Sequence, residues 1–174
     1  NINIDGYYAE TSTVGMSNQN KSFRGAFDYS ADRYGIQLEH LTVGDHFNPQ
    51  IGFLRRKNFR QNSLYFRFSP RLPSSPIIRK IGLESGLDHI ENLEGTLESQ
   101  QAQLTLRMDL ENGDQWNIDY ERNFEFLEEI FPITPTITVQ MGSYYFTNFR
   151  ASYNLGPQRK LSGQLVLQKG TFFD

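Results

Sequence analysis

The sequence contains no cysteine and no long apolar segment, and each absence narrows what the protein can be. Without cysteine there is no disulfide, and no thiolate to bind a metal or attack a substrate. No apolar run approaches the roughly 20 residues that a membrane-spanning helix needs. The formal net charge is −3, so the chain has no general electrostatic attraction for nucleic acid, and we expect no nucleic-acid partner.

The length bounds the domain organisation. A chain of 174 residues is long enough for one large β domain and too short for two comfortable ones, so we predict a single domain over residues 1–174. The chain opens and closes in strand-like segments and shows no signal peptide. We therefore interpret it as a processed or partial piece of a longer protein.

Alternation of apolar and polar residues is the strongest signal in the chain, and it predicts about nine β-strands. Helical spacing competes only over residues 91–103, and the alternation that follows them favours a strand. The clearest strand places Ala102, Leu104, Leu106, Met108 and Leu110 on one face, opposite Gln103, Thr105, Arg107, Asp109 and Glu111.

The joins between these runs alternate between short and long. Residues 30–33 and 111–115 are tight turns, whereas residues 12–21, 44–57 and 128–142 are long loops. Short turns at one end and long loops at the other are typical of bacterial outer-membrane proteins. The predicted fold is all-β, an up-and-down antiparallel transmembrane β-barrel or a large part of one. A soluble barrel or sandwich with the apolar face inward shows the same alternation and is the alternative.

The polar face of the predicted sheet carries charges of both signs, which neighbouring strands can pair across a wet lumen. The predicted lumen residues are Arg24, Asp28, Glu39, Arg67, Arg107, Asp109 and Arg150. On the alternative fold, the same side chains form the solvated outer face of a soluble sheet.

A long loop rich in charged residues is the best candidate for a pore constriction. It contributes Asp45, His46, Asn48, Arg55, Arg56 and Arg60. Charged rings of this kind set the selectivity of pores. The alternative, which we favour, is that the Asn48-Pro49 pair makes a turn and that Arg55 and Arg56 pin the loop to carboxylates of the lumen.

Nothing in the sequence points to catalysis, a cofactor or a metal. The three histidines show no ligand spacing, and no serine lies in a nucleophile motif. Pairs such as Asp109/Glu111 and Asp119/Glu121 could serve a glycosidase, but a hydrated lumen lined with acids is far commoner. The apolar loop Glu128–Gly142 is suited to a flap, a plug or an edge that binds a partner. We expect no enzymatic activity.

Two motifs resemble a known family. The first is the hairpin D-Y-x-x-D-R-Y-G (Asp28 to Gly35), and the second is V-G-D-x-F-N-P-x-x-G-F-x-R-R (Val43 to Arg56). Together with the turn N-L-G-P-Q-R-K (154–160) and G-T-F-F-D (170–174), they resemble the C-terminal β-barrel of a family of large, uncharacterised bacterial outer-membrane proteins. Members carry an N-terminal carbohydrate-binding module of the family-nine type. That module is absent here, so sugar binding does not carry over, and members continue through further strands.

The resemblance and the alternation together imply a location and a role. We expect a porin-like channel or an envelope scaffold in the bacterial outer membrane, with membrane lipid and other envelope proteins as partners. A link to saccharide uptake follows only from the family's additional module. The alternatives are a structural subunit that anchors a larger envelope complex and a soluble ligand-binding β-domain.

Overall fold

The computed structural model describes residues 1–12, 15, 18–49, 52, 54, 56–134 and 137–171. Within them, no helix is long and apolar enough to cross a membrane. The chain forms β1 (Ile2–Glu10), β2 (Lys21–Ser30), β3 (Tyr34–Val43), β4 (Phe59–Phe68), β5 (Ile78–Asn92), β6 (Leu97–Leu110), β7 (Gln115–Leu127), β8 (Phe131–Thr134), β9 (Ile137–Val139), β10 (Gly142–Leu155) and β11 (Gly163–Gly170).

Nine of these strands form one antiparallel sheet in the order β1-β2-β3-β4-β5-β6-β7-β10-β11. Each of these nine strands pairs with the next one of the sheet along the chain, and β7 pairs with β10 because β8 and β9 form a separate two-stranded sheet. The prediction of an all-β, up-and-down antiparallel fold is confirmed. The sheet is open in the described part of the chain, with β1 and β11 as its edges.

The meander puts the joins at two ends of the sheet. The short-turn end contains the joins β2–β3, β4–β5, β6–β7 and β10–β11, and the long-loop end contains the others. The β5–β6 join is short although it lies at the long-loop end. The apolar loop predicted as a flap or plug contains a two-stranded ribbon, in which β8 pairs with β9.

The strand register collects the apolar side chains on one face of the sheet, which we call the apolar face. One row of partners runs Ile4, Phe27, Leu38, Leu64 and Leu87 across five strands. Most of this face is uncovered in the described chain, and Phe124, near the long-loop end, is a buried exception. Ile4 is 76% exposed, and even in the middle of the sheet Leu64 is 44% exposed.

The buried hydrophobic cluster lies on the opposite face, which we call the polar face. Val43, Phe47 and Phe59 form its centre, and Val43 and Phe59 are register partners at the long-loop end of β3 and β4. The partly buried side chains packed around it are Ala9, Leu41, Leu54 and Ile90. The protein therefore buries apolar side chains where a loop folds onto the polar face.

Candidate functional site

A groove runs along the polar face of the sheet. Its cavity volume is about 670 Å³, and its lining extends from Asn3 in β1 to Gln103 in β6. An ion pair crosses it: the Arg24 guanidinium donates to both oxygens of Glu39, at 2.9 and 2.7 Å. Asp5 lies 3.6 Å from the same guanidinium. Alternation on three consecutive strands places Asp5 and Glu39 diagonally opposite Arg24 on the same face.

Several other acids of the polar face are held by neutral donors. Asp28 accepts a hydrogen bond from Gln37 at 2.7 Å, and Asp119 accepts one from Thr105 at 2.9 Å. Ser63 donates to Asp88 in the same way. Hydrogen bonds from neutral groups satisfy the carboxylate oxygens but leave their negative charge in place. The groove, which Asp5, Asp28, Glu39 and Asp88 line beside Arg24, is therefore electronegative.

The β3–β4 loop folds onto the polar face at the long-loop end. Phe47, only 7% exposed, packs with Val43 and Phe59 on the polar face, and Leu54 joins the same cluster. Further along the loop, Arg56 forms an ion pair with Glu98. Apolar contacts with the polar face and one ion pair with Glu98 thus hold the loop at the long-loop end of the sheet.

Gly44 allows the β3–β4 loop to dock against the β1–β2 loop. Its backbone N–H donates to the Lys21 carbonyl at 2.9 Å, and a Cβ at this position would overlap the Gln19 carbonyl oxygen. Two residues later, the His46 backbone N–H donates to that Gln19 carbonyl at 3.0 Å. Only glycine permits so close an approach of two backbones.

At the short-turn end, Asp114 connects two turns that are far apart in the sequence. Its side chain is fully buried, and Oδ1 accepts a hydrogen bond from the Gly156 backbone N–H at 2.8 Å. Oδ2 accepts from Arg159 at 2.6 Å, from Asn112 at 3.0 Å, and from the Tyr153 hydroxyl. The β6–β7 and β10–β11 turns are thereby fastened to one carboxylate.

These contacts also set the protonation of Asp114. The Gly156 backbone hydrogen bond and then the Tyr153 hydroxyl, with the positive charge of Arg159, lower the pKa of Asp114 below its ordinary value of 3.8. Burial raises the pKa of Asp114, but by less than either of these two hydrogen bonds lowers it. The carboxylate is therefore charged at neutral pH.

Arg67 makes a second fastening at this end. Its guanidinium donates to the carbonyls of Ala31 at 2.7 Å and Asp32 at 3.2 Å, and to the Ser69 hydroxyl at 2.6 Å. Gly35, its register partner, leaves room for the guanidinium to reach the β2–β3 turn. Arg67 lies on the predicted polar face, but its contacts are those of a turn clamp.

The predicted site residues divide among three places. Those on the polar face are Arg24, Asp28, Glu39, Arg67, Arg107, Asp109 and Arg150. Asp45, His46 and Asn48 lie at the long-loop end, where His46 bonds the Asn18 carbonyl and the Asn48 N–H donates to Thr11. Arg55 lies outside the described residues.

Arg60 is on the other face from the lumen candidates. It belongs to β4 and is the register partner of Thr42 and Glu91, so it shares a face with Leu64. There it forms an ion pair with Glu91 at 3.2 Å. The prediction treated residues 44–60 as one loop, whereas β4 begins at Phe59. Because side chains alternate along a strand, Arg60 lies on the face opposite to that of Arg24.

Sequence reasoning missed the role of Asp114. The motif Asn112-Gly-Asp predicts a hairpin turn, and Gly113 does adopt a positive φ of 81°. The partners of the carboxylate lie near residue 156, where the sequence shows only a polar turn. The only available signal was an acid in one short turn and a base, Arg159, in another turn at the same end.

Within the described ranges, no three histidine, aspartate or glutamate side chains converge closely enough to hold a metal ion. A scan of protein-family models finds no match to the chain. Searches of curated proteins and of solved structures find no match either. The family resemblance carried by the two motifs therefore stays a prediction.

Proposed function

We propose that the protein is a β-barrel of the bacterial outer membrane, or a large part of one, and that its polar face lines a channel. The observation that carries this proposal is the uncovered apolar face, which continues from β1 to β11. Soluble monomers rarely expose apolar patches above a few hundred Å². A lipid bilayer is the surrounding that stabilises such a face along a whole antiparallel sheet.

The slant of the apolar band supports the proposal. Register partners can be followed across the sheet from Tyr29 in β2 to Lys169 in β11. Tyr29 is the last apolar residue of β2 before the short turn. Lys169 is the polar residue that ends the apolar series of β11 at the long-loop end. The band therefore crosses the sheet obliquely, as expected when strands are tilted by roughly 35–45° to the membrane normal.

Aromatic pairs mark both limits of the band. Two pairs lie on the apolar face at the short-turn end and two at the long-loop end. The pairs are Tyr34–Phe68 (5.1 Å between centroids) and Trp116–Tyr153 (4.7 Å) at the first, and Phe23–His40 (5.5 Å) and Phe124–Tyr145 (4.9 Å) at the second. Aromatic girdles at both interfaces are characteristic of membrane barrels.

The test is extraction followed by electrophoresis. We expect solubility to require detergent, and we expect a folded band whose mobility changes on boiling. Reconstituted in a planar bilayer, the protein should then show ion conductance. A monodisperse protein without detergent would overturn the membrane proposal and would support a soluble ligand-binding β-domain. A saccharide cargo rests on the resemblance alone, and liposome swelling with sugars of different size tests it separately.

A second candidate role is that of an anchoring subunit in an envelope complex. The ribbon beyond the long-loop end favours it, because Ile130, Phe131, Ile133 and Met141 are 48–69% exposed there. Exposed apolar residues in short strands are suited to binding a partner's edge. Stoichiometric co-purification, without conductance in the isolated protein, would favour this role over a channel.

A further inference from the structure

We propose that the short-turn end binds the headgroups of anionic phospholipids, through a surface that we call the basic end patch. This inference rests on the proposed membrane location and adds the lipid class that the protein prefers there. The patch consists of Arg79 and Lys160, the exposed apolar side chains Ile77 and Leu161, and the aromatic pair Trp116–Tyr153.

The topology brings these residues to the short-turn end of the sheet. Trp116 and Tyr153 are register partners on β7 and β10, and the Tyr153 hydroxyl bonds Asp114, which holds Arg159 beside Lys160. On the other flank, the Glu111 backbone N–H donates to the Ile77 carbonyl at 2.9 Å. The segment that leads into β5 therefore lies next to the β6–β7 turn.

The charge of this end is positive once internal pairs are removed. Arg159 is neutralised by Asp114, and Arg71 pairs with Asp32 at 3.1 Å. Lys160 makes no ion pair within the described residues. Asp109 forms an ion pair with Arg107 at 3.0 Å, and Glu111 is the acid of the adjoining turn. The bases that remain are Arg33, Arg79, Lys80 and Lys160, which exceed the acids left to offset them.

The long-loop end has the opposite character. Glu94, Glu128 and Glu129 lie in its joins without an ion-pair partner among the described residues, and Lys57 is the comparable base. A bilayer leaflet with anionic headgroups therefore favours the short-turn end, since lysine and arginine side chains near such a surface are attracted to it.

Apolar residues beside the bases point to a lipid surface rather than to free phosphate. Leu161 is 82% exposed and Ile77 is 65% exposed, and each lies within two residues of a base. Side chains of this kind enter the acyl boundary while neighbouring ammonium and guanidinium groups bind lipid phosphates. Trp116 lies on the apolar face four residues inward from Ile77 and Leu161, in the register row of Ile81 and Leu165, where it can report on lipids that contact this end.

Trp116 makes the proposal measurable, because it is the only tryptophan of the chain. The purified protein is reconstituted in phosphatidylcholine vesicles that contain either brominated phosphatidylglycerol or brominated phosphatidylcholine, and quenching of Trp116 fluorescence is compared. We expect phosphatidylglycerol to associate several-fold more strongly around Trp116. In Lys160→Gln with Arg79→Gln the two brominated lipids should quench Trp116 almost equally, and high salt should weaken the preference in the native protein.

A matched variant, Lys57→Gln with Lys169→Gln, removes two bases from the long-loop end and should keep the native preference. Equal quenching by the two brominated lipids in the native protein would overturn the inference while leaving the membrane proposal intact. Absence of quenching by both lipids would instead contradict the proposed membrane location. An equal loss of preference in both double variants would show that net charge, and not the basic end patch, is responsible.

Discussion

The Asp114 carboxylate accepts a hydrogen bond from the Gly156 backbone N–H at 2.8 Å, across 42 residues of sequence. The bond joins the turn between β6 and β7 to the turn between β10 and β11. The same carboxylate also pairs with Arg159 at 2.6 Å. The contact between the two turns therefore depends on the negative charge of Asp114 and on the positions of both of its oxygens. Replacing Asp114 therefore tests whether these contacts stabilise the short-turn end of the sheet.

We predict that Asp114→Asn lowers the urea midpoint of unfolding. The amide places an N–H donor where the carboxylate accepts from Tyr153, Arg159 or Gly156, and it leaves the Arg159 guanidinium without its counter-ion. The measurement is urea denaturation followed by the shift between folded and unfolded bands. Asp32→Asn is the control, because that side chain is 70% exposed and pairs only with Arg71, and it should change the midpoint little.

The contribution of the Asp114 carboxylate to stability should depend on pH. The pKa of Asp114 is lowered in the folded protein, so its contribution is fully present above the ordinary value of 3.8 and is lost as pH falls through the lower, folded value. We expect the difference in urea midpoint between the native protein and Asp114→Asn to be constant near neutral pH and to shrink in acid. A difference that grew in acid would contradict the assigned direction.

We predict that Gly44→Ala detaches the β3–β4 loop from the β1–β2 loop. The added methyl group cannot coexist with the Gln19 carbonyl in its present position, so at least one backbone must move. Limited proteolysis should then cleave the chain near residues 44–58 faster than in the native protein. Gly163→Ala is the matched control, since nothing lies within 4 Å of a Cβ there.

The sheet could be predicted from the sequence because alternation is local, and local patterns determine which residues share a face. The burial of Phe47 could not, because its partners Val43 and Phe59 are strand residues of the polar face, where alternation predicts polar contacts. Arg60 shows how strongly such predictions depend on where a strand begins. Because β4 begins at Phe59, Arg60 is a strand residue, and alternation places its side chain on the apolar face. Asp114 meets partners about 40 residues away, and no local pattern indicates them.

Phe47 tests whether the docked loop narrows the groove. We predict that Phe47→Ala weakens loop docking by about 3 kcal/mol, the usual cost of removing a buried aromatic ring, and increases single-channel conductance. The sheet should remain folded, because no ladder hydrogen bond involves this residue. Phe131→Ala, at a position 54% exposed in the ribbon, should leave conductance unchanged. Unaltered conductance in Phe47→Ala would show that the loop does not restrict the channel.

Arg24 tests whether the polar face governs which ions pass. Its guanidinium balances Glu39 and Asp5, so Arg24→Gln leaves two carboxylates without a counter-ion and makes the groove more negative. We expect cation-over-anion permeability, measured from the reversal potential in a salt gradient, to rise by up to about fivefold, since a unit charge in water contributes on the order of 1 kcal/mol at close range. Glu39→Gln should move the reversal potential the opposite way. Shifts of the same sign in both variants would mean that the groove is distorted, and a channel that conducts normally without any shift would place the ion path away from this ion pair.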